Sequence, residues 1–168
     1  MDLPNLHIFT TGGTIDKVYF DALSEFQVGE TALDSILREA NVRFEHEITP
    51  LMRKDSLELT DEDRALIRKA VSGTEARHVL ITHGTDTMAA TARFLSGIEG
   101  KTVVLTGAMQ PASQRSTDAI FNIGFAVSST FLLPPGIYLA MNGRVFDPET
   151  VVKDRKAGQF RNDRSGDS

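Results

Sequence analysis

Threonines and glycines crowd together directly after the first apolar run of the chain. Residues 9–14 read Phe-Thr-Thr-Gly-Gly-Thr, and a turn alone needs one or two glycines but no cluster of three hydroxyls. Two adjacent glycines let a backbone come close to a ligand and turn its N–H groups toward it. A threonine hydroxyl becomes a nucleophile when a base removes its proton and preorganised donors receive the resulting oxyanion. The segment therefore predicts either a tight turn or nucleophilic catalysis by Thr14.

A second loop supplies groups that could activate such a hydroxyl. Residues 82–87 read Thr-His-Gly-Thr-Asp-Thr, which places a hydroxyl and a carboxylate side by side at Thr85 and Asp86. A lysine that is desolvated in such a site, with a lowered pKa, could act as the base. Spacing alone does not choose which lysine. Thr85 and Asp86 are also residue types that cap the start of a helix, and capping and catalysis are compatible.

Phosphate binding is the first alternative for a glycine-rich loop after a strand, but the sequence does not fit its usual patterns. The chain has no GxxxxGK[ST] segment, and TTGGTIDK does not match GxGxxG. A generic anion cradle of backbone N–H groups stays open. The net charge of -5 argues against nucleic acid and against an anionic membrane surface, because both select basic patches. The absence of cysteine excludes a thiolate nucleophile, and the 4 scattered histidines suggest no metal site.

The length of 168 residues predicts one domain that spans residues 1–168. The N-terminus lacks the basic segment and apolar run of a signal peptide. No apolar run approaches the roughly 18 residues of a membrane span. We therefore expect a cytoplasmic protein without a membrane partner.

Short apolar runs alternate with segments of helical period along the chain. Strands are expected at 6–10, 42–48, 78–82, 102–106 and 136–141, and helices at 31–40, 60–73, 88–96 and 117–128. This alternation predicts an α/β three-layer sandwich, Rossmann-like, with a mainly parallel sheet covered on both faces. The carboxyl ends of parallel strands share one rim, where ligands bind. The loops that follow four of these strands, including the one after Met141, should therefore meet at a single polar cleft.

Finer patterns give further expectations. Polar residues alternate with apolar ones in 42–48, which predicts a strand with one solvated face near an edge of the sheet. Thr60 and Asp63 have the spacing of a capping box, and Gly73 is expected to cap the end of the same helix. The aromatic pair Phe121 and Phe125 is expected in the core.

Three segments together identify a family. TTGGTID, ITHGTDTM and VLTGAMQP, in this order, resemble the signatures of the bacterial L-asparaginase family. The resemblance covers nearly the whole chain, which looks like a short form with the family's N-terminal domain and without its C-terminal domain. It implies hydrolysis of asparagine to aspartate and ammonia through a covalent acyl-threonine intermediate, without metal or organic cofactor. It also implies a homo-oligomer.

The resemblance assigns catalytic roles. Thr14 matches the nucleophile, and Tyr19 lies in the segment that forms the family's mobile lid, where a tyrosine orients and helps activate that threonine. Thr85, Asp86 and Lys153 match a relay in which the lysine is the base.

The resemblance also implies a substrate site. The residues expected to bind substrate are Gly13, Asp55, Ser56, Thr85, Asp86 and Ala108. Ser56 is the expected direct ligand of the α-carboxylate, and Asp86 is expected to pair with the α-ammonium. The backbone around Ala108 is expected to contact the leaving amide, and backbone N–H groups near Gly13 and Thr85 are expected to receive the oxyanion.

Departures from the family pattern keep alternatives open. Leu57 stands where many members have a polar residue on the substrate amine, and Gln110 stands where arginine is common. An amidase that prefers glutamine or another amide is one alternative, and a non-catalytic amino-acid-binding module is the other. Tyr19 could also be a surface aromatic, and Lys153 a solvated charge.

Overall fold

The computed structural model describes residues 5–22 and 24–163. Within them the strands are β1 (Asn5–Gly12), β2 (Lys17–Phe20), β3 (Glu25–Val28), β4 (Glu45–Lys54), β5 (His78–Thr82), β6 (Thr102–Thr106), β7 (Gly136–Met141), β8 (Arg144–Phe146), β9 (Val151–Asp154) and β10 (Gln159–Asn162). The helices are α1 (Leu33–Glu39), α2 (Asp61–Gly73), α3 (Met88–Phe94) and α4 (Ala119–Leu132). Short 3₁₀ turns occupy Thr14–Asp16 and Ser56–Glu58.

One sheet has the strand order β4-β1-β5-β6-β7-β8, and its first five strands are parallel. Strand β8 joins antiparallel, while β2–β3 and β9–β10 form separate hairpins. The strands predicted at 78–82, 102–106 and 136–141 have those bounds. The strand predicted at 42–48 does lie at the sheet edge, but it begins at Glu45 and continues to Lys54.

Helices cover both faces of the sheet, which confirms the predicted three-layer α/β sandwich. One face is packed by Ile67 and Val71 of α2, Met88 and Ala92 of α3, and Leu95 directly after α3. The other is packed by Leu33, Leu37, Ala119, Ile123 and Ala126 of α1 and α4. Successive strand residues face opposite sides, so β5 sends Val79 and Ile81 to the first cluster and Leu80 to the second.

The chain reverses its direction across the sheet between β1 and β5. After β1 it passes through α1 to β4 on one side, and after β5 it passes through α3 to β6 on the other side. These two connections lie on opposite faces, which makes the crevice between β1 and β5 the switch point where ligands bind in open α/β sheets. The loops after β1 and β5 are those that carry Thr14 and Thr85.

The crossover through α4 has the opposite hand to the other crossovers of this sheet. The β5-to-β6 and β6-to-β7 connections step in the same direction, yet α3 and α4 pack on opposite faces. Crossovers of parallel strands have one hand in almost all proteins. The exception here places α4 behind the loop that follows β6.

The loop after β7 was expected to be a fourth ligand-binding loop at the cleft, but the structure has a tight hairpin turn there. Asn142 and Gly143 have φ angles of 54° and 76°, and β8 returns antiparallel beside β7. Positive φ at both central residues is typical of a two-residue hairpin, which Asn-Gly favours. The Asn-Gly pair in the sequence could have predicted this hairpin.

Two of the finer expectations were wrong, and one is confirmed. Thr60 and Asp63 form a capping box at the start of α2. Gly73 is the last residue of α2 and Thr74 the cap, with extended backbone, so no glycine cap forms. Phe121 is 62% exposed and lies outside the core, whereas Phe125, on which it stacks, is partly buried and packs against the core. Among the described residues, no helix is long and apolar enough to cross a membrane.

Candidate active site

Glycines bring the loops at the strand ends into direct backbone contact. A methyl group on Gly13 would lie 2.5 Å from the backbone nitrogen of Gly84, and one on Gly84 would lie 2.5 Å from Ser56 Cβ. A methyl group on Gly107 would lie 2.3 Å from the His83 carbonyl oxygen. No side chain fits at such distances, so glycine is required at each position. The loops after β1, β4, β5 and β6 therefore touch at one rim. This convergence was predicted from the strand pattern for the loops after β1, β5 and β6, whereas the loop after β4 was expected there only from the family resemblance.

Hydrogen bonds fix the same contacts. The Gly13 N–H donates to the Lys54 carbonyl at 2.9 Å, and the Thr87 hydroxyl donates to the Ser56 carbonyl at 2.8 Å. The buried Thr11 hydroxyl donates to the Thr82 carbonyl at 2.9 Å, which joins the ends of β1 and β5. Because the Gly13 N–H is already paired, it is not available for an oxyanion.

Thr14 follows directly on the glycine contact. Gly12 and Gly13 have φ angles of 97° and 87°, and Thr14 then begins a 3₁₀ turn. Positive φ is open to glycine without strain, so both glycines are needed to turn the chain at this point. The Thr14 side chain is partly exposed, and its hydroxyl has no hydrogen-bond partner among the described residues. Thr85 holds the equivalent position after Gly84, so the two hydroxyl residues flank one backbone contact.

Thr85, Asp86 and Lys153 form a connected cluster. Lys153 Nζ lies 2.7 Å from Thr85 Oγ1 and 2.9 Å from Asp86 Oδ1. Arg155 approaches the same Asp86 oxygen at 3.4 Å, a contact that the sequence analysis missed. Thr85 is buried, and the Lys153 side chain is only 18% exposed. Lys153 is thus within hydrogen-bond distance of both of the other predicted relay residues.

The β9–β10 hairpin positions Lys153. Val151 and Lys153 are two residues apart on β9 and so face the same side, where Val151 is buried in the core. Phe160 pairs with Lys153 across the hairpin and packs against Phe146. The lysine is therefore held by an anchored strand and is not a free surface charge.

A buried histidine holds the loop that carries Thr85. His83 Nδ1 lies 2.7 Å from the Gly84 carbonyl oxygen, and its Nε2 lies 2.8 Å from the Thr91 hydroxyl. The Thr91 oxygen accepts a hydrogen bond from Arg64 at 3.2 Å. Burial lowers the pKa of His83 to about 4, so the ring is neutral at neutral pH. With Nδ1 protonated, it fixes the Gly84–Thr85 peptide plane, since the carbonyl and N–H of a trans peptide point in opposite directions.

The Asp55–Ser56 segment is tied to the turn that follows Thr14. Lys17 Nζ lies 2.9 Å from Asp55 Oδ2, a contact that the sequence analysis did not predict. The hydrogen bond from Lys17 lowers the pKa of Asp55, and the positive charge of Lys153 contributes in the same direction. Ser56 is buried against Gly84, whereas Leu57 is 67% exposed.

The loop around Ala108 is shaped from below by α4. Ala108 is buried, and the N–H groups of Met109 and Gln110 both donate to the Asp118 carboxylate at 3.0 Å. Asn122 donates to the same carboxylate at 2.9 Å and to the Gly107 carbonyl at 3.0 Å. Neither residue was predicted from the sequence, although an Asp one position before a helix that begins at Ala119 is a helix-capping signal.

Tyr19 lies on the β2–β3 hairpin, and none of its described side-chain contacts is with Thr14. Its side chain is 52% exposed and its ring contacts Phe26 at 5.3 Å between centroids. Leu23, in the predicted lid segment, lies outside the described residues. The Tyr19 hydroxyl makes no described hydrogen bond to Thr14. Its catalytic role therefore stays a prediction, and that role requires the hairpin to move toward Thr14.

Asp16 closes the base of that hairpin and was not singled out from the sequence. Its carbonyl accepts from the Gly29 N–H at 2.8 Å, and its carboxylate accepts from the Ala32 N–H at 3.1 Å. The side chain is buried at one wall of a cleft of about 390 Å³ that includes Arg53. Burial raises the pKa of Asp16 to about 6.

Comparison with known proteins gives one consistent match. Residues 5–161 match the family model described as Asparaginase, N-terminal. The chain is 32% identical over 167 residues to the probable periplasmic L-asparaginase of Haemophilus influenzae, covering 90% of this chain and 47% of that protein. It is 33% identical to the glutaminase-asparaginase of Acinetobacter glutaminasificans, covering 89% and 49%.

Solved structures show the same likeness in three dimensions. The thermostable L-asparaginase from Thermococcus kodakarensis superimposes with a TM-score of 0.80 at 30% identity, covering 94% of this chain and 51% of that one. The chain thus spans about half the length of the curated relatives it matches.

Proposed function

This chain belongs to the asparaginase family and matches its N-terminal domain, and from that membership we propose that it hydrolyses L-asparagine to L-aspartate and ammonia. The family model covers residues 5–161, nearly all of the sequence. The proposed chemistry uses side chains and backbone groups of this domain alone.

In the first half of the proposed reaction, the Thr14 hydroxyl attacks the side-chain amide carbon. The Thr14 oxygen–carbon bond forms and the carbon–nitrogen bond breaks, while the hydroxyl proton is passed to the nitrogen, so that ammonia leaves. Since the Gly13 N–H is bonded to Lys54, the oxyanion donors are assigned to the backbone N–H groups of Thr14 and Thr85. Tyr19 would orient the Thr14 hydroxyl once its hairpin closes over substrate.

In the second half, water attacks the acyl ester on Thr14. The water proton passes to the Thr85 hydroxyl, whose own proton passes to the Lys153 amine, 2.7 Å away. Asp86 holds that amine in position at 2.9 Å. The bond between the acyl carbon and the Thr14 oxygen then breaks, the proton held by Lys153 is passed back to that oxygen, and aspartate is released with the Thr14 hydroxyl restored.

One observation carries the proposal. The Thr85–Lys153–Asp86 cluster lies at the loop that touches the loop of Thr14, although Lys153 and Thr85 are 68 residues apart. A turn-forming or purely capping role for these residues does not require a lysine in contact with both of them.

The test is ammonia release from asparagine by this chain and by its Thr14→Ala variant. The variant should lose activity by roughly a thousandfold or more, because the nucleophile is gone. Thr14→Ser, which keeps a hydroxyl, should retain measurable activity. Equal rates for the chain and for Thr14→Ala would exclude Thr14 as nucleophile.

A related amidase is the second candidate, since the Acinetobacter relative is named for both glutaminase and asparaginase activity. Ammonia release from glutamine in parallel with asparagine separates the two. A binding module without turnover would instead bind asparagine in calorimetry and release no ammonia.

Assembly stays a prediction of the resemblance, and the compartment stays a prediction from the N-terminal sequence. A homo-oligomer is proposed on that basis, and size-exclusion chromatography with light scattering tests it. The proposed cytoplasmic location contrasts with the Haemophilus relative, whose name places it in the periplasm.

A further inference from the structure

A second cleft lies beside the turn that carries Thr14, between the sheet and α1. It has a volume of about 390 Å³ and is bounded by β1, β4, the segment 29–31 and α1. The described residues that line it include none of those assigned to the reaction. Its volume falls in the usual range of small-molecule sites, about 300–1,000 Å³. The cleft is therefore a candidate binding site separate from the proposed active site.

Two buried polar side chains line this cleft. Thr10 on β1 is only 3% exposed, and its hydroxyl has no hydrogen-bond partner among the described residues. Asp16 is equally buried, and one oxygen of its carboxylate accepts from the Ala32 N–H at 3.1 Å. A buried polar group without a partner costs free energy, and a ligand that supplies the partner removes that cost. The Thr10 hydroxyl therefore points to a ligand with a polar group.

The charges that face Asp16 indicate which polar group the cleft selects. Glu30 from the segment 29–31, Asp34 of α1 and Arg53 of β4 line the cleft, whereas β1 contributes no charge. All three side chains are more than half exposed, so water and salt screen them alike. Arg53 pairs with Glu30, and Arg38 pairs with Asp34. Asp16 is thus the buried charge among the described residues of the cleft, and it has no cation in contact.

The ionisation of Asp16 supports the same selection. Burial raises the pKa of Asp16 to about 6, against the lowering effects of the Ala32 N–H, the Thr31 side chain and Arg53. Above about pH 7 the cleft therefore contains an ionised carboxylate that is short of compensating charge. A ligand that carries a positive charge and N–H donors would supply both.

We propose that this cleft binds a small primary ammonium ion, R–NH₃⁺ with a short alkyl chain, through Asp16 and Thr10. An ammonium group has one positive charge and three donors, which match one carboxylate and the hydroxyl oxygens of Thr10 and Thr31. Pro50 and Met52 of β4 supply an apolar wall for the alkyl chain. A divalent metal ion fits less well, because it prefers six or more oxygen ligands with several carboxylates. The inference goes beyond the proposed hydrolysis and does not depend on it.

The place of Asp16 in the fold gives such a ligand an effect on the β2–β3 hairpin. Asp16 ends the 3₁₀ turn that begins at Thr14, and its carbonyl accepts from the Gly29 N–H at 2.8 Å. Its carboxylate holds the Ala32 N–H, so one residue fastens both the base of the hairpin and the chain that leaves it. An ammonium ion offsets the cost of burying the ionised carboxylate. Amine binding should therefore stabilise the base of the hairpin at neutral pH.

The experiment is an NMR titration of the ¹⁵N-labelled chain in an amine-free buffer at pH 8. The ligands are n-propylammonium, tetramethylammonium, which has the charge but no N–H donor, and 1-propanol, which has no charge. Propylammonium should bind with a Kd of about 1–10 mM and shift the amide signals of Gly29 and Ala32. The other two should bind at least about tenfold more weakly, because each lacks one of the two matched features.

The pH dependence and the location of binding provide two further checks. At pH 5 the affinity for propylammonium should be about tenfold lower than at pH 8, because little of Asp16 is then ionised while the amine stays charged. No binding of propylammonium, or equal binding of tetramethylammonium, would overturn the inference. Shifts confined to the loop that carries Thr85 and Asp86 would also overturn it, because they would place the amine at the active-site rim.

Variants of the two buried residues complete the test. Asp16→Asn should lower the affinity for propylammonium by about tenfold or more, and Thr10→Val by about three- to tenfold. Asp21→Asn, at an exposed position outside the cleft, is the matched control for the first. Thr82→Val is the control for the second, because the Thr82 hydroxyl is also buried without a partner among the described residues but does not line the cleft.

Both controls should bind propylammonium as the unchanged chain does. Thermal unfolding confirms that each variant is folded. Unchanged affinity in Asp16→Asn, or a loss in Thr82→Val as large as that in Thr10→Val, would overturn the inference. None of these measurements uses ammonia release, so failure of the proposed hydrolysis would be seen separately.

Discussion

The amine of Lys153 lies 2.7 Å from the hydroxyl of Thr85, and the two residues reach each other from separate sheets. Thr85 follows the central strand β5, while Lys153 is on the β9–β10 hairpin. The contact places a candidate base beside the Thr85 hydroxyl. No motif local to Thr85 could have supplied that base.

Replacement of Lys153 tests whether this amine acts as a base. Lys153→Met should lower ammonia release by about 10² to 10⁴-fold, the usual contribution of general acid–base catalysis. Lys153→Arg should be nearly as inactive, because a guanidinium keeps the charge toward Asp86 but does not accept a proton at neutral pH. Steady-state rates with thermal unfolding as the folding check provide the measurement. Activity near that of the unchanged chain in Lys153→Arg would show that only the charge matters.

The contact between Gly84 and Ser56 should not tolerate a methyl group. Gly84→Ala would place a Cβ 2.5 Å from Ser56 Cβ, so we expect a loss of about 1–3 kcal/mol in the free energy of unfolding. Gly73→Ala is the matched control, since no atom lies within 4 Å of its Cβ position. That variant should be neutral or more stable, because alanine favours helix. Urea denaturation of both measures the difference, and equal stabilities would contradict the packing argument.

Asp16 should make the free energy of unfolding depend on pH in a defined direction. Burial raises the pKa of this carboxyl from 3.8 to about 6. Its favourable contribution to the free energy of unfolding is therefore fully present below the unfolded-state pKa of 3.8. That contribution is lost as pH rises through the folded-state pKa of about 6. Asp16→Asn keeps an acceptor for the Ala32 N–H without the charge. Relative to the unchanged chain, it should gain on the order of 2 kcal/mol between about pH 4 and pH 7.

The charges near Asp16 refine that expectation. Arg53 lines the same cleft and lowers the pKa of Asp16, while Glu30 and Asp34 add negative charge at the cleft wall. Asp21→Asn, at an exposed position that does not line this cleft, is the control. Urea unfolding across this pH range checks both variants. A stability difference that falls with rising pH would contradict the assigned direction.

Asp118 should support the loop around Ala108 from outside the cleft. Asp118→Ala leaves the N–H groups of Met109 and Gln110 without their acceptor, so a loss of about 1–3 kcal/mol is expected. If the Ala108 backbone contacts the leaving amide, ammonia release should also fall by about tenfold or more. Glu62→Ala, at an exposed site on α2, is the control. Unchanged activity in a destabilised Asp118→Ala protein would limit the residue to a structural role.

The sequence predicted those features that depend on local pattern. Apolar runs placed β5, β6 and β7, and the Thr60–Asp63 spacing placed the start of α2. The rim of converging loops followed from parallel strands in general. The same rule does not say which loops touch, because that depends on strand order, and the order around β1 is set by packing between distant segments.

The remaining features depend on contacts between segments far apart in the chain. The pairing of Lys17 with Asp55 and of Arg155 with Asp86 joins residues that no local spacing relates. Phe121 lies on a helix with apolar residues on several sides, so helical period alone does not reveal that its ring is exposed. Lys153 was selected by family resemblance, and the geometry supplies the physical reason for that choice.

The backbone contacts at Gly13, Gly84 and Gly107 also constrain how this scaffold can diverge. A position without room for a single methyl group tolerates no residue larger than glycine. The wall that these loops form therefore cannot change by single substitutions at the glycines. Variation in substrate choice is then expected at the rim outside that wall, at exposed positions such as Leu57. A mutational library confined to those outer positions should yield altered selectivity with far fewer misfolded members than one that includes the glycines.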